Sequence, residues 1–253
     1  MNPVNSGVNF EEANNRIRRL LGLQSDPVSV FFVRNEDEMA AFQEWTALKS
    51  HRYCQALMKA RRGQRVVLTG DEIACPAAAS AFGFRSLPEG LSSGKGLVGF
   101  GIVKDAETGK RMFEGMTKFA SNEIRALALC PLSASPRTPD VVVVEDQVER
   151  LMWLLLADLN LQGGTRRHGN TAVLQATCVD STIIPFAEKR MNFCLGCYGC
   201  REATDIGQGE TVLGFPGAML GDLLNMLEYL SEKAMPRSRE KQAFHRLDRT
   251  VTD

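Results

Sequence analysis

Cys194, Cys197 and Cys200 stand in the run Phe193-Cys194-Leu195-Gly196-Cys197-Tyr198-Gly199-Cys200-Arg201. Two Cys-x-x-Cys spacings overlap on Cys197. A backbone that wraps in such a run can aim three sulfurs at one inorganic centre, as the loops that hold three corners of an iron–sulfur cubane do. A glycine precedes each of the two later cysteines. Without a Cβ, Gly196 and Gly199 can both take positive φ, letting the chain turn closely and present amide N–H groups to sulfur. The chemistry this pattern points to is thiolate ligation of an iron–sulfur cluster of the 4Fe-4S type. Zinc is the inorganic alternative, although structural zinc prefers two separated Cys-x-x-Cys pairs. Free or redox-active thiols, with no metal at all, are the remaining one.

A cubane takes a fourth ligand, and the ferredoxin spacing would put it after three intervening residues beyond Cys200, where this chain has Thr204. The ferredoxin run ends in Cys-Pro, a pair found here at Cys75-Pro76 and Cys130-Pro131. Cys75 is favoured as the fourth ligand because it opens an expected helix, where unpaired N–H groups stabilise a thiolate. Cys54, Cys130 and Cys178 are the other candidates. An iron left without a fourth thiolate would be open to substrate or a small ligand. Cys54, on an expected helix, and Cys130, after an apolar strand, also read as small buried thiols with no part in ligation.

Other chemistry-bearing residues carry weaker readings. His168 follows Arg166 and Arg167 in a polar turn, an arrangement able to hold an anion but also that of a solvated loop. His245 lies in the C-terminal tail and carries no case. Gly90 to Gly96 resembles a phosphate loop only loosely: its first glycine is one residue too close to Gly94-Lys95, and no Ser or Thr follows the lysine. Lys95 remains a candidate contact for an anion. Gly94-Lys95-Gly96-Leu97-Val98-Gly99 has dinucleotide-loop spacing but follows a loop and not a strand, so that reading is rejected.

The totals bound what these residues can belong to. The 253 residues carry 30 Lys plus Arg against 30 Asp plus Glu, so no overall field draws the chain to nucleic acid or anionic lipid. Met1 to Glu11 is polar where a leader would be apolar, and the longest apolar run, Leu151 to Ala157, is too short to cross a bilayer. A cytoplasmic protein is expected, with a redox partner or a small anionic ligand and with neither nucleic acid nor membrane as a target. In a reducing compartment an odd count of 7 cysteines does not read as a disulfide framework.

Periodicity then supplies the elements that must position the cysteines. A helix over Phe10 to Leu23 is capped by Asn9, and the β-branched and aromatic run Val28 to Val33 is a buried strand. Glu36 to Ala60 reads as mostly helical, Arg65 to Thr69 as a strand, and Pro76 as the first turn of another helix. Ser86 to Gly101, rich in glycine, reads as a loop. Strands are expected at Ala126 to Leu132, Val141 to Glu145 and Val212 to Phe215. Helices are expected at Gln147 to Leu161 and Ala218 to Lys233, with Ile183-Ile184 in a turn-and-strand region. The whole predicts an α/β fold, with a mixed α+β arrangement as its variant: a single layered domain over residues 1–235 with a mostly buried sheet flanked by helices. Residues 236–253 read as a polar tail.

Several pieces, in order, resemble the family of unknown function DUF169. They are Pro27-Val28-Ser29-Val30, Tyr53-Cys54-Gln55-Ala56-Leu57, Ala74-Cys75-Pro76 and Pro139 to Val144, then Cys178, Gly196-Cys197-Tyr198-Gly199-x-Arg201 and Gly214-Phe215-Pro216. The resemblance spans roughly residues 20–220 and implies no established activity. It implies that Cys54, Cys75, Cys178 and Cys197 sit in family motifs, whereas Cys194 and Cys200 are departures. A second grouping is therefore open, in which Cys54, Cys75, Cys178 and Cys197 meet in the fold.

Overall fold

The computed structural model describes residues 9–250. Its centre is a seven-stranded sheet: β1 (Val28–Val33), β2 (Thr46–Ala47), β3 (Val66–Thr69), β4 (Ala126–Pro131), β5 (Val141–Gln147), β6 (Asn192–Cys194) and β7 (Glu210–Pro216), in the order β2-β3-β4-β1-β5-β7-β6. All pairings are antiparallel except β2 with β3. The fold is therefore mixed α/β in one layered domain. Its strands follow the α+β variant, since only one pair is parallel.

Every residue of β1 is buried, because helices cover both faces of the sheet. Val142, Val144, Leu213 and Phe215 face the helices Phe10–Leu21, Val148–Leu161 and Leu220–Arg239. Asn9 caps the first of these by accepting from the Glu12 amide at 3.1 Å. On the opposite face Val28, Val30, Phe32, Leu127 and Leu129 pack under the helices Tyr53–Arg61 and Pro76–Ala81 and under the π-helical segment Ala176–Ile183. This second face carries the cysteine-rich site.

Four segments depart from the reading of the sequence. Glu36 to Ala60 is not one helix: Glu36–Ala40 and Tyr53–Arg61 are separated by β2, which the exposed Thr46 and Ala47 do not announce. Ser86 to Gly101 holds two short helices, Glu89–Ser92 and Lys95–Gly99, which pack through Leu91 and Leu97. Ile183 and Ile184 are helical, at the junction of the π-helical segment with Ile184–Glu188, so their β-branching was a misleading strand signal. The expected tail is also helical, with Leu220–Arg239 running through Pro236 and Gln242–Thr250 following. Residues 251–253 of that tail, and 1–8 of the polar start, lie outside the described residues. Among the described residues no helix is long and apolar enough to cross a membrane.

The strand β7 and the π-helical segment approach so closely that a Cβ on Gly214 would lie 1.8 Å from the Ser181 carbonyl oxygen. Gly214→Ala should therefore cost ~1–3 kcal/mol or more by overpacking. Urea denaturation checks this, and an unchanged midpoint would contradict the contact.

Candidate functional site

The π-helical segment is the scaffold of the site. Gln175, a non-glycine residue at φ 57°, turns the chain into it, and all eight residues from Ala176 to Ile183 are buried. The wider π repeat occurs mostly as short insertions at functional sites, because it re-aims side chains that an α-helix would stack. Here the Thr177 hydroxyl donates to Cys200 Sγ at 3.2 Å, while Ser181 Oγ lies 3.1 Å from Cys194 Sγ. Thr182 Oγ1 lies 2.8 Å from the buried Tyr53 hydroxyl and donates to the Thr177 carbonyl, also at 2.8 Å. Cys178 faces a chamber between this segment and the helices Tyr53–Arg61 and Pro76–Ala81.

The chamber has a volume of about 450 Å³, and five cysteines line it: Cys54, Cys75, Cys178, Cys197 and Cys200. They come from four separate stretches of chain. Cys75 and Cys197 each stand just before a six-residue helix, Pro76–Ala81 and Tyr198–Ala203 respectively, and Cys200 lies inside the second. All five are free thiols, and only Cys75 is more than slightly exposed. Two other cysteines stay outside. Cys194 ends β6 with its sulfur turned to Ser181 and to the carbonyls of Ala176 and Val212, each at 3.6 Å. Cys130 packs with Phe31 and Val33 on the opposite face of the sheet. The chamber thus gathers Cys75, Cys197 and Cys200 of the sequence-derived set without Cys194. It also gathers all four cysteines of the second grouping.

The loop that presents Cys197 is held by Arg201, whose guanidinium donates to the carbonyls of Leu195 at 2.6 Å, Gly207 at 2.7 Å and Glu210 at 2.8 Å. Gly196 takes φ 90°, the conformation its missing Cβ allows, and its amide bonds the Cys194 sulfur. Gly199 does not take positive φ, because it lies inside the helix Tyr198–Ala203. At the rim Arg52 donates to the Gly199 carbonyl and to Glu202, both at 3.0 Å.

The surroundings of Cys178, Cys194, Cys197 and Cys200 favour the protonated thiol. Desolvation pushes the Cys178 thiol well above its ordinary value, with Cys75, Cys200 and Cys197 adding to the effect. Cys197 is raised by its hydrogen bond with Cys200 and then by burial. Cys200 is pulled down by its bond with Cys197, but contact with Cys54 and burial raise it overall. Cys194 is pushed up to about 12 by burial against the opposing bonds from Ser181 and Gly196. Among the described residues no three His, Cys, Asp or Glu side chains converge as one metal ion needs.

Several features escaped the sequence reading. The chamber's outer wall is built from Leu91, Leu97, Phe100, Ile102, Phe113 and Leu174, much of it from the segment read as a loop. Apolar residues at helical spacing within 89–99 were the available signal. The π-helical segment has no sequence signature of its own. His168 and Arg166 are exposed, and Arg167 is engaged with the buried Asp158 at 2.6 and 3.0 Å, so the three do not form an anion pocket. Lys95 is exposed and is not among the residues lining the chamber.

The family described as DUF169, "Uncharacterised ArCR", matches residues 16–226. The chain belongs to the DUF169 family. This DUF169 chain is also 29% identical over 225 residues to the uncharacterised protein MJ0308 of Methanocaldococcus jannaschii, an alignment covering 88% of this chain and 95% of that protein. No solved structure matches it with comparable significance. The chamber's residues Cys54 to Cys200 all fall within the span that matches the family.

Below the chamber, Glu145 on β5 is buried with Arg61 Nε 3.0 Å away, without the alignment of a hydrogen bond. Burial raises Glu145 from 4.5 to about 7 against the pull of Arg61. The folded chain then holds a proton that the unfolded chain releases, so this group's contribution to stability is full below about 4.5 and lost as pH rises through about 7. Glu145→Gln should flatten the stability profile in that window. Denaturation midpoints at stepped pH check it, and an undiminished slope in the variant would contradict the assignment.

Proposed function

We propose that this protein binds an iron–sulfur cluster in the chamber through Cys54, Cys75, Cys178 and Cys197, for redox work or for binding a small ligand beside the cluster. The single observation that carries this reading is the meeting of five thiols from four stretches of chain around one chamber of about 450 Å³. Sulfurs scattered by chance through a core would not share a cavity.

The donor set fits the group. A zinc ion would draw all its sulfurs to within about 2.3 Å of a single point, and no such convergence exists among the described residues. A cluster spreads its thiolates over several irons, which suits donors arranged around a chamber. Cys200 contacts both Cys54 and Cys197 and accepts from Thr177, so it is assigned as the thiol packed behind the ligands. Cys194 is left out because its sulfur is engaged with Ser181 and lies off the chamber. When bound, the cluster supplies one-electron chemistry or an iron site for a ligand. The chain's own part is to bury the sulfurs, to release their protons on binding and to exclude water.

A second reading has its own support. Cys197 precedes the helix that contains Cys200, and the two sulfurs are in hydrogen-bonding contact, as in a dithiol that closes to a disulfide. Anaerobic reconstitution with iron and sulfide separates the two. The cluster reading expects a broad brown visible absorption with about four irons and four sulfides per chain. It further expects Cys197→Ser and Cys178→Ser to lose most of both, and Cys194→Ser and Cys130→Ser to keep them. A colourless protein without iron, carrying a Cys197–Cys200 disulfide under mild oxidant, would overturn the cluster and support the dithiol.

A further inference from the structure

Besides the sulfurs, the chamber is walled by the apolar side chains of Leu91, Leu97, Phe100, Ile102, Phe113 and Leu174, with Cys75 packed against the cluster of Leu97, Phe113 and Leu174. The helices Lys95–Gly99 and Ala106–Glu114, which carry Leu97 and Phe113 with Phe100 immediately after the first, touch backbone to backbone. A Cβ on Gly94 would lie 1.9 Å from the Ala106 carbonyl oxygen, and one on Gly109 would lie 2.7 Å from that of Gly94. The wall is thus a packed unit that leaves the space in front of it open. Phe100 stands at the end of this unit with 71% of its surface exposed, an aromatic ring with too little to cover it.

The chamber offers no free charge. Arg52 and Glu202, its two charged lining residues, pair with each other at 3.0 Å, and Arg52 also donates to the Gly199 carbonyl. The Thr177 hydroxyl is committed to Cys200. An anion entering beside the buried neutral thiols would be desolvated with no unpaired cation to meet it. The size is informative too. An apolar cavity of about 150 Å³ takes benzene, and this one is about 450 Å³, so sulfur ligation on one side leaves room for a small molecule on the other.

We infer that the outer half of the chamber is a binding site for a small, uncharged, apolar organic molecule, held against the apolar wall and facing the sulfurs. This deepens the cluster reading by naming the ligand class beside it, and it rests on that reading only for what the bound molecule would meet. It excludes small anions, the ligand class that the arginines near His168 had suggested.

The test uses the full chain, reduced and metal-free, with benzene and benzoate as probes of nearly equal shape and different charge. Methyl resonances of Leu91, Leu97, Ile102 and Leu174 are followed by NMR. Benzene is expected to shift them saturably, and benzoate to bind at least about tenfold more weakly. Ala77→Phe, which fills the chamber from the helix Pro76–Ala81, should weaken benzene by about tenfold or more while methyl signals elsewhere stay in place. If that variant does not fold, the two-probe comparison on the unaltered chain decides alone. Benzoate binding as tightly as benzene, no binding of either, or undiminished benzene binding by folded Ala77→Phe would each overturn the inference. Repeating the titration on Cys197→Ser keeps the two proposals apart, because benzene binding intact with iron uptake undiminished would count against the cluster reading and not against the apolar site, whereas loss of iron uptake with benzene binding intact is the result both expect.

Discussion

Burying Cys178, Cys197 and Cys200 against one face of a sheet costs little only while they keep their protons. A thiolate in an apolar interior needs a counter-charge or a metal, and this chamber has no unpaired cation facing the sulfurs. That constraint links the fold to its chemistry. Desolvation raises the pKa of all three, so any ligation must expel protons, and the affinity for a metal must strengthen as pH rises. On the proposed reading, the chain holds neutral sulfur until a soft cation arrives.

The surroundings follow from the same constraint. The antiparallel sheet supplies a rigid floor, and the π-helical segment lies on it so closely that Gly214 has no space for a side chain. Each polar side chain of that segment then finds a partner above or below: Thr177 with Cys200, Ser181 with Cys194, Thr182 with Tyr53, and Asp180 with the Thr171 hydroxyl at 2.7 Å. Buried polar groups of this kind are stable only when satisfied. Their pairing fixes the direction of Cys178 and closes the inner end of the chamber. Arg201, by clasping three carbonyls, does the same for the turn that carries Cys197.

Some of this was legible in the sequence. β1 announced itself through Val28 to Val33, and the first helix through Asn9 and the spacing of Ile17, Leu20 and Leu21, because local periodicity and capping suffice for such elements. The cysteine spacing pointed to a segment that lines the chamber through Cys197 and Cys200, but could not reveal that Cys194, ending a strand, turns its sulfur to Ser181 and off the chamber. Which of Cys54, Cys75, Cys130 and Cys178 would join it depended on strand order, and Cys130 fell on the far face of the sheet. The π-helical segment was illegible because Val179, Ile183 and Ile184 favour strands in isolation, and only packing against β7 makes the wider helix worthwhile. The apolar wall was missed because its helices, five residues or fewer over 89–99, gain their stability from tertiary contact and not from propensity.

The most direct measurement is the anomalous diffraction of crystals grown and kept without oxygen, recorded at the iron edge after reconstitution. Iron density inside the chamber, within bonding reach of Cys54, Cys75, Cys178 and Cys197 and absent beside Cys194, is the expected result. Diffraction showing no iron there, with Cys197 and Cys200 joined by a disulfide or the chamber's sulfurs pointing apart, would contradict it.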